Sequence, residues 1–217
     1  MNNIKHEVTD IIEQCVTSDR LHGVMALLNY LEPYGYFDAP ASSAHHHSCE
    51  GGLAAHSLDV CKTLLSMAYV YECRYDYILN DESCVIVALF HDCHKVTDGF
   101  GRICYDENVL KSGKISEAKP YVTVKDYSPH AGGRKSTLLV SKFVALLEDE
   151  MQAIETHDGQ YVSENRYVQH KEYPLTLALH HADMLSTAFD KGVRENNCKP
   201  FGCKYEPKSK RGEEGKT

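Results

Sequence analysis

The segment SCVIVALFHDCH at 83–94 closes an almost unbroken apolar run on a histidine and an aspartate. On a helix over 82–94, Asp92 shares a face with Val85, Ala88 and Leu89, and His91 is stacked over Val87 and Ala88. An ionised carboxylate on such a face is costly unless it is paired or bound to a cation. The pattern recurs twice. His56 lies three residues after Leu53 and four before Val60 on the apolar stripe of a long amphipathic segment. Asp183 lies four residues after Leu179 and beside Ala182 in a segment that opens on Pro174. Three apolar helices that each turn a His or Asp inward must cross where those groups find partners. Spacing alone leaves two accounts open: separate hydrogen bonds at helix ends, or one shared cation. If a cation, imidazole with carboxylate suits Mn, Fe, Zn, Ni or Co better than Ca or Mg alone.

Helical periodicity also marks 3–16 and 20–31, the latter stopped by Pro33 and Gly35. The stretch 34–52 is irregular, and a long helix is expected from Leu53 to about Tyr71. Between Thr97 and Pro129 the pattern alternates in RICYDENV and YVTVKDY, with a turn signal at Ser112-Gly113, which predicts a β-ribbon. Periodicity returns over 134–155, a loop or short ribbon spans 158–173, and the last core helix covers 174–189. The expected fold is all-α, a bundle of about six or seven helices with a small β-ribbon insertion. The 217 residues suit one domain over 1–192 with its core at 45–190, and a polar, flexible tail over 193–217.

The formal charge of −8 argues against an extended nucleic-acid surface, although a small anionic substrate remains compatible with local cations and a metal. No apolar run is long enough to span a membrane. The N-terminal MNNIKHEVTDIIEQ lacks a signal pattern, so a cytoplasmic location is expected. The nine cysteines are odd in number and contain no CxxC pair; they read as buried apolar residues in a reducing compartment. Cys198 and Cys203 are spaced closely enough to bind a metal but lack further support. Neither a GxSxG elbow nor a GxxxxGK[ST] loop nor a GxGxxG helix opening is present. Histidine, with 13 copies, is the compositional outlier.

The blocks GGLAAHSLDV, ALFHDCHKV, SPHAGGRKS, AIETHDGQY and PLTLALHHADMLSTAFD resemble, in that order, the HD-domain metal-dependent phosphohydrolases. The run HHHSCEGGLAAHS is similar to the opening of the HD domain in a bacterial 3′-to-5′ exoribonuclease family. The resemblance covers roughly 45–190. It implies that His56, His91, Asp92 and Asp183 bind a first metal, and that His130 and His157 hold a second, with Asp92 bridging. One or two divalent ions (Mn, Fe, Ni, Co or Zn) are thus implied as cofactors. Lys95 matches the lysine of the HDxxK segment that faces phosphate, and with Asp92 it forms the expected catalytic pair. His94 departs from the family, where many members carry a small residue.

Other positions follow from context. Arg134 and Lys135 lie one turn after His130, within expected reach of a substrate phosphate, and GGRKS lacks the upstream glycine and strand of a phosphate loop. His45, His46 and His47 precede a Gly-Gly turn, where the resembling family places an HH pair at its pocket mouth, and His47 is taken as substrate-binding. Of His180 and His181, only one can closely share the helix face of Asp183. The function implied is hydrolysis of a phosphate ester, of a nucleotide or short oligonucleotide, by a metal-bound hydroxide. Competing readings are a 3′-to-5′ exonuclease on single-stranded nucleic acid, a metal-stabilised nucleotide-binding or regulatory module, and a di-iron oxygenase on the same scaffold. An oligomer is compatible with the sequence.

Overall fold

The computed structural model describes residues 2–17, 19–125, 127 and 131–189. Seven α-helices occur among them: α1 (Asn2–Cys15), α2 (Leu21–Leu31), α3 (Gly52–Tyr75), α4 (Asp81–Phe90), α5 (Gly132–Val140), α6 (Glu148–Glu155) and α7 (Pro174–Phe189). Strands β1 (Tyr105–Glu107) and β2 (Tyr121–Thr123) pair antiparallel, with Asp106 opposite Val122. The chain is therefore all-α with a small β insertion, as the periodicity implied. Residues 193–217, expected to form a tail, lie outside the described residues, as do Cys198 and Cys203. Among the described residues, no helix is long and apolar enough to cross a membrane.

Helix α4 is the axis of the core. Every residue from Glu82 to Phe90 is buried, so its apolar character on all sides reflects neighbours on all sides. Its start is well specified. The Asn80 side chain accepts from the amide of Ser83 at 3.2 Å, and Asp81 and Glu82 fall in the first turn, where negative charge is favoured. Helix α3 packs extensively against both α4 and α7, while α6 touches α4, α5 and α7. These contacts bring together the ends of α4 and α6 with one face each of α3 and α7.

A buried ionic cluster ties the sequence-distant ends of this core. Arg20 donates through Nε to Glu82 at 2.6 Å and through one terminal nitrogen to both oxygens of Glu150 at 2.8 Å. Glu82 also accepts the amide of Thr17 at 3.2 Å.

The expected single helix over 134–155 is instead a hairpin, with α5 and α6 separated by a turn. Apolar spacing persists through that turn because Val144 is buried and Phe143 packs on the core. The carbonyl of Phe143 comes so near Gly23 of α2 that a Cβ there would lie 2.2 Å from it. Glu150 then restarts the helix by accepting the amide of Leu147 at 2.8 Å. The hairpin closes tightly: a Cβ at Gly133 would lie 2.1 Å from the carbonyl oxygen of Glu155. The ribbon differs as well. The three-residue strands are joined by a long excursion whose own bridge pairs Val109 with Ile115, and Ser112-Gly113 turns inside that excursion. The segment expected as a loop or short ribbon after 158 forms two 3-10 turns, Gly159–Tyr161 and Ser163–Val168.

Candidate metal centre

Helix α4 does not carry Asp92 on its apolar face, as its spacing suggested. The helix ends at Phe90 and His91 caps it. The His91 ring donates Nδ1–H to the carbonyl of Ala88 at 2.8 Å, taking the acceptor that a continuing helix offers to the amide of Asp92. Asp92 leaves the helix, and a 3-10 turn over Cys93–Lys95 follows. Helix α6 ends alike: beyond its cap Thr156, the His157 ring donates Nδ1–H to the carbonyl of Ile154 at 2.8 Å. In both rings this bond assigns the proton to Nδ1 and leaves the Nε2 lone pair for the interior, the arrangement of a metal-ligating histidine.

Those lone pairs converge on two carboxylates. His91 Nε2 lies 3.3 Å from Asp92 Oδ2, and His157 Nε2 lies 3.5 Å from Asp92 Oδ1. From α3, His56 Nε2 lies 3.1 Å from Asp183 Oδ1 and 3.9 Å from Asp92 Oδ2. His56, His91, Asp92 and His157 are buried, and Asp183 is partly so. Two triplets, His56–His91–Asp92 and His91–His157–Asp183, place one ligand atom per residue within 4.8 Å of one another and can hold a metal ion. Five of the six expected ligands are thus together, and His157 groups with His91 and Asp183. The sixth, His130, lies outside the described residues.

The fit to a cation rests on polar atoms without aligned partners. Neither ring nitrogen of His56 nor Nε2 of His91 makes a hydrogen bond, although all three are buried. Such groups are costly when unsatisfied, and a transition-metal ion accepts lone pairs of this kind. Electrostatics point the same way. Burial opposes ionisation of Asp92, yet the charges of Lys95 and His91 and the bond from His157 hold its carboxyl well below the usual range. Asp183 is likewise held low: burial opposes this, but His56 outweighs it. Burial disfavours an imidazolium at His157, but Asp92, Asp158 and Asp183 outweigh it and lift the ring to about 10, so a metal ion bound at Nε2 would displace a proton from it. The centre demands positive charge.

Lys95 supplies one such charge. Its Nζ lies 2.6 Å from Asp92 Oδ2, and although burial opposes the ammonium, Asp92 holds its pKa above the ordinary lysine value. Lys95, Asp92, His157 and Asp183 line a cleft of about 220 Å³ together with His46, Asp158, His180, Met184 and Thr187. Of the three histidines expected at the mouth, His46 lines this cleft, whereas His47, expected to contact substrate, does not. His47 adopts a left-handed backbone, with φ 44°, and borders a separate cavity with Phe37 and Gly52. Burial, then Lys95 and His56, lower the His46 ring to about 4, so it stands neutral beside the centre.

Arg134 and Lys135 do not line the cleft. Arg134 is exposed and pairs with Glu155 at 2.9 Å, whereas the Lys135 ammonium sits 4.2 Å from the ring centre of Tyr127. The divergent His94 does not face solvent. Its Nδ1 lies 3.0 Å from Ser136 Oγ, and its ring fills the space where a Cβ on Gly132 would come within 2.6 Å. Between His180 and His181, the structure selects His180, whose Nδ1 donates to the carbonyl of His157 at 2.7 Å. The signal was present: His180 is three residues before Asp183 on α7, one turn along the same face.

No family model matches the chain, and no solved structure matches it. Over 58 residues the chain is 43% identical to the dihydroneopterin 2′,3′-cyclic phosphate phosphodiesterase of Methanocaldococcus jannaschii. That stretch is 27% of this chain and 23% of the relative, so the similarity spans about a quarter of the curated protein it matches.

Proposed function

We propose that the chain is an HD-type, metal-dependent phosphohydrolase acting on a phosphate ester of a nucleotide-like molecule. The observation that carries this reading is the pair of helix-ending histidines, His91 and His157. Their Nδ1 protons are committed to carbonyls, and their Nε2 atoms face Asp92. His56, His91, Asp92 and Asp183 hold a divalent ion in this reading, and His157 with His130 serves a second. A bound transition-metal ion supplies Lewis acidity, lowering the pKa of a water toward neutrality and neutralising charge on phosphoryl oxygens.

The remaining chemistry belongs to the chain. Hydrolysis joins the water oxygen to phosphorus, breaks the bond to the ester oxygen and delivers a proton to that leaving oxygen. Lys95, held above its ordinary pKa by Asp92, stays an ammonium at neutral pH. It suits the charge that grows on the equatorial oxygens and is a poor proton donor. The similarity to a protein named as a cyclic phosphate phosphodiesterase of a pterin compound supports a cyclic diester as substrate. The formal charge of −8 and the small cleft favour a compact substrate over the exonuclease reading.

The test is metal analysis of the purified protein, then hydrolysis of nucleotides and 2′,3′-cyclic phosphates with added Mn, Co, Ni or Fe. Release of phosphate monoester from a cyclic diester, lost in Asp92→Ala, is expected. Bound iron with oxygen consumption and no hydrolysis replaces this reading with an oxygenase. Tight nucleotide binding without turnover replaces it with a regulatory module.

A further inference from the structure

We propose that the cavity between α7 and the 159–169 segment is a second compartment of the same site, and that it receives the planar nitrogen heterocycle of the substrate. The proposal rests on the reading of the cleft as a phosphate-ester centre. Volume is the first argument. The cleft at Asp92 measures about 220 Å³, below the roughly 300–1,000 Å³ usual for small-molecule sites, so it accommodates a phosphate but not a whole nucleotide. The neighbouring cavity measures about 720 Å³.

The two spaces share a wall. His180 and Met184 line both. The reason is helical geometry: Leu177, His180, His181 and Met184 recur at three- and four-residue spacing, while His180 is also one turn from Asp183. The His180 ring is clamped between the carbonyl of His157, which accepts its Nδ1–H, and Gly159, where an added Cβ would lie 2.4 Å from the ring. A molecule whose phosphate meets Lys95 in the cleft therefore has a pre-shaped place for its other end just beyond His180.

The lining selects the chemistry of that end. The His180 and His181 rings lie 5.8 Å apart at 39°, and with Leu177 and Met184 they offer flat and adaptable apolar surface. Gln160, Asn165 and Gln169 add amides, which both donate and accept, as the edge of a nucleobase-like ring requires. The Asn165 amide nitrogen donates to the carbonyl of Gly159 at 2.9 Å, which leaves its oxygen as the acceptor. Apart from the histidines, the charged groups of the lining are one cation and one carboxylate, Arg166 and Glu172. That balance suits a neutral heterocycle and disfavours a second phosphate or a polyphosphate chain.

The test compares two probes, guanosine 2′,3′-cyclic phosphate and the heterocycle-free glycerol 1,2-cyclic phosphate, by calorimetric titration of the protein as purified, with the heat of any turnover subtracted from a single-injection control. Wild type is expected to bind the guanosine compound at least about tenfold more tightly. Leu177→Trp fills the cavity from a position 39% exposed, and should erase that preference. Gln169→Ala, at an exposed position that tolerates truncation, should narrow it, and circular dichroism checks the folding of both. Equal binding of the two probes by wild type overturns the compartment, as does a preference intact in both variants. Turnover with metal is read separately. Absent hydrolysis of both probes with the binding preference kept defeats the hydrolase reading and supports the compartment. Hydrolysis of both probes without any binding preference defeats the compartment alone.

Discussion

The rings of His91 and His157 stand 4.8 Å apart, centre to centre, at 73°, and each ring bonds the carbonyl three residues before it. Two helices of different length and neighbourhood thus end in one device, an imidazole that closes the helix and aims its second nitrogen at Asp92. The device matches a shared sequence signature, a His-Asp dipeptide at a helix end, in both FHD and THD.

Asp92 is the carboxylate that both rings approach. Asp92→Asn keeps the size of the side chain and removes its charge. Metal content, measured by mass spectrometry, should fall, with affinity reduced beyond the roughly 10–100-fold typical of outer partners. Hydrolysis should fall with it. Asp92→Ala should in addition destabilise the fold by about 3–5 kcal/mol in urea titration, because the Lys95 ammonium then lacks its 2.6 Å partner. A variant with wild-type metal content would falsify the proposed ligation.

Gly159 should resist substitution. Its φ is 58°, and a Cβ would press into His180. Gly159→Ala is expected to lower stability by about 1–3 kcal/mol, combining left-handed backbone strain with displacement of the ring. KM for the heterocyclic substrate should rise more than kcat falls. Unchanged melting and unchanged KM count against this role for the glycine.

Arg20 should matter for stability and not for turnover. The Glu150 side chain is fully buried, and Arg20 reaches both of its oxygens. Arg20→Leu leaves two carboxylates without their cation and should cost about 3–5 kcal/mol by chemical denaturation. Replacing all three charges with apolar residues should recover most of that loss. A fully stable single variant contradicts the assigned role.

Asp98 carries a pH dependence with a definite sign. Its carboxylate accepts the amide of Phe100 at 2.9 Å and the Arg102 Nε at 2.6 Å. Burial opposes ionisation, but these bonds win and hold its pKa below the ordinary 3.8. A depressed folded value contributes stability above the unfolded pKa and loses it as pH falls through the folded one. The stability gap between wild type and Asp98→Ala, about 1–3 kcal/mol near neutrality, should therefore shrink in acid below that ordinary value. A gap that widens toward low pH contradicts the assignment.

The helical class, the inward-facing His56 and Asp183, and the start of α7 at Pro174 were legible because they depend on local periodicity and on the burial cost of polar groups. The break between α5 and α6 was not. Val144 and Phe143 keep an apolar spacing through a turn that α2 covers, so periodicity alone cannot tell turn from helix there. Arg134 and Lys135 show the same limit: two cations beside a candidate ligand look alike in sequence, yet Glu155 and Tyr127 engage them away from the cleft.

What kind of groups the interior contains follows from composition and spacing, since a carboxylate among apolar residues needs a counter-charge wherever the chain folds. Which groups meet is a matter of packing. The crossing of α3 with α4 and α7 sets His56 at 3.1 Å from Asp183, and the turn after Phe90 swings Asp92 toward His157. The 159–169 segment, without helical or strand periodicity, is held by the Asn165 side chain on the Gly159 carbonyl and comes against α7 where Gly159 gives way to His180. Contacts between distant segments depend on where whole helices lie, and no local pattern encodes that.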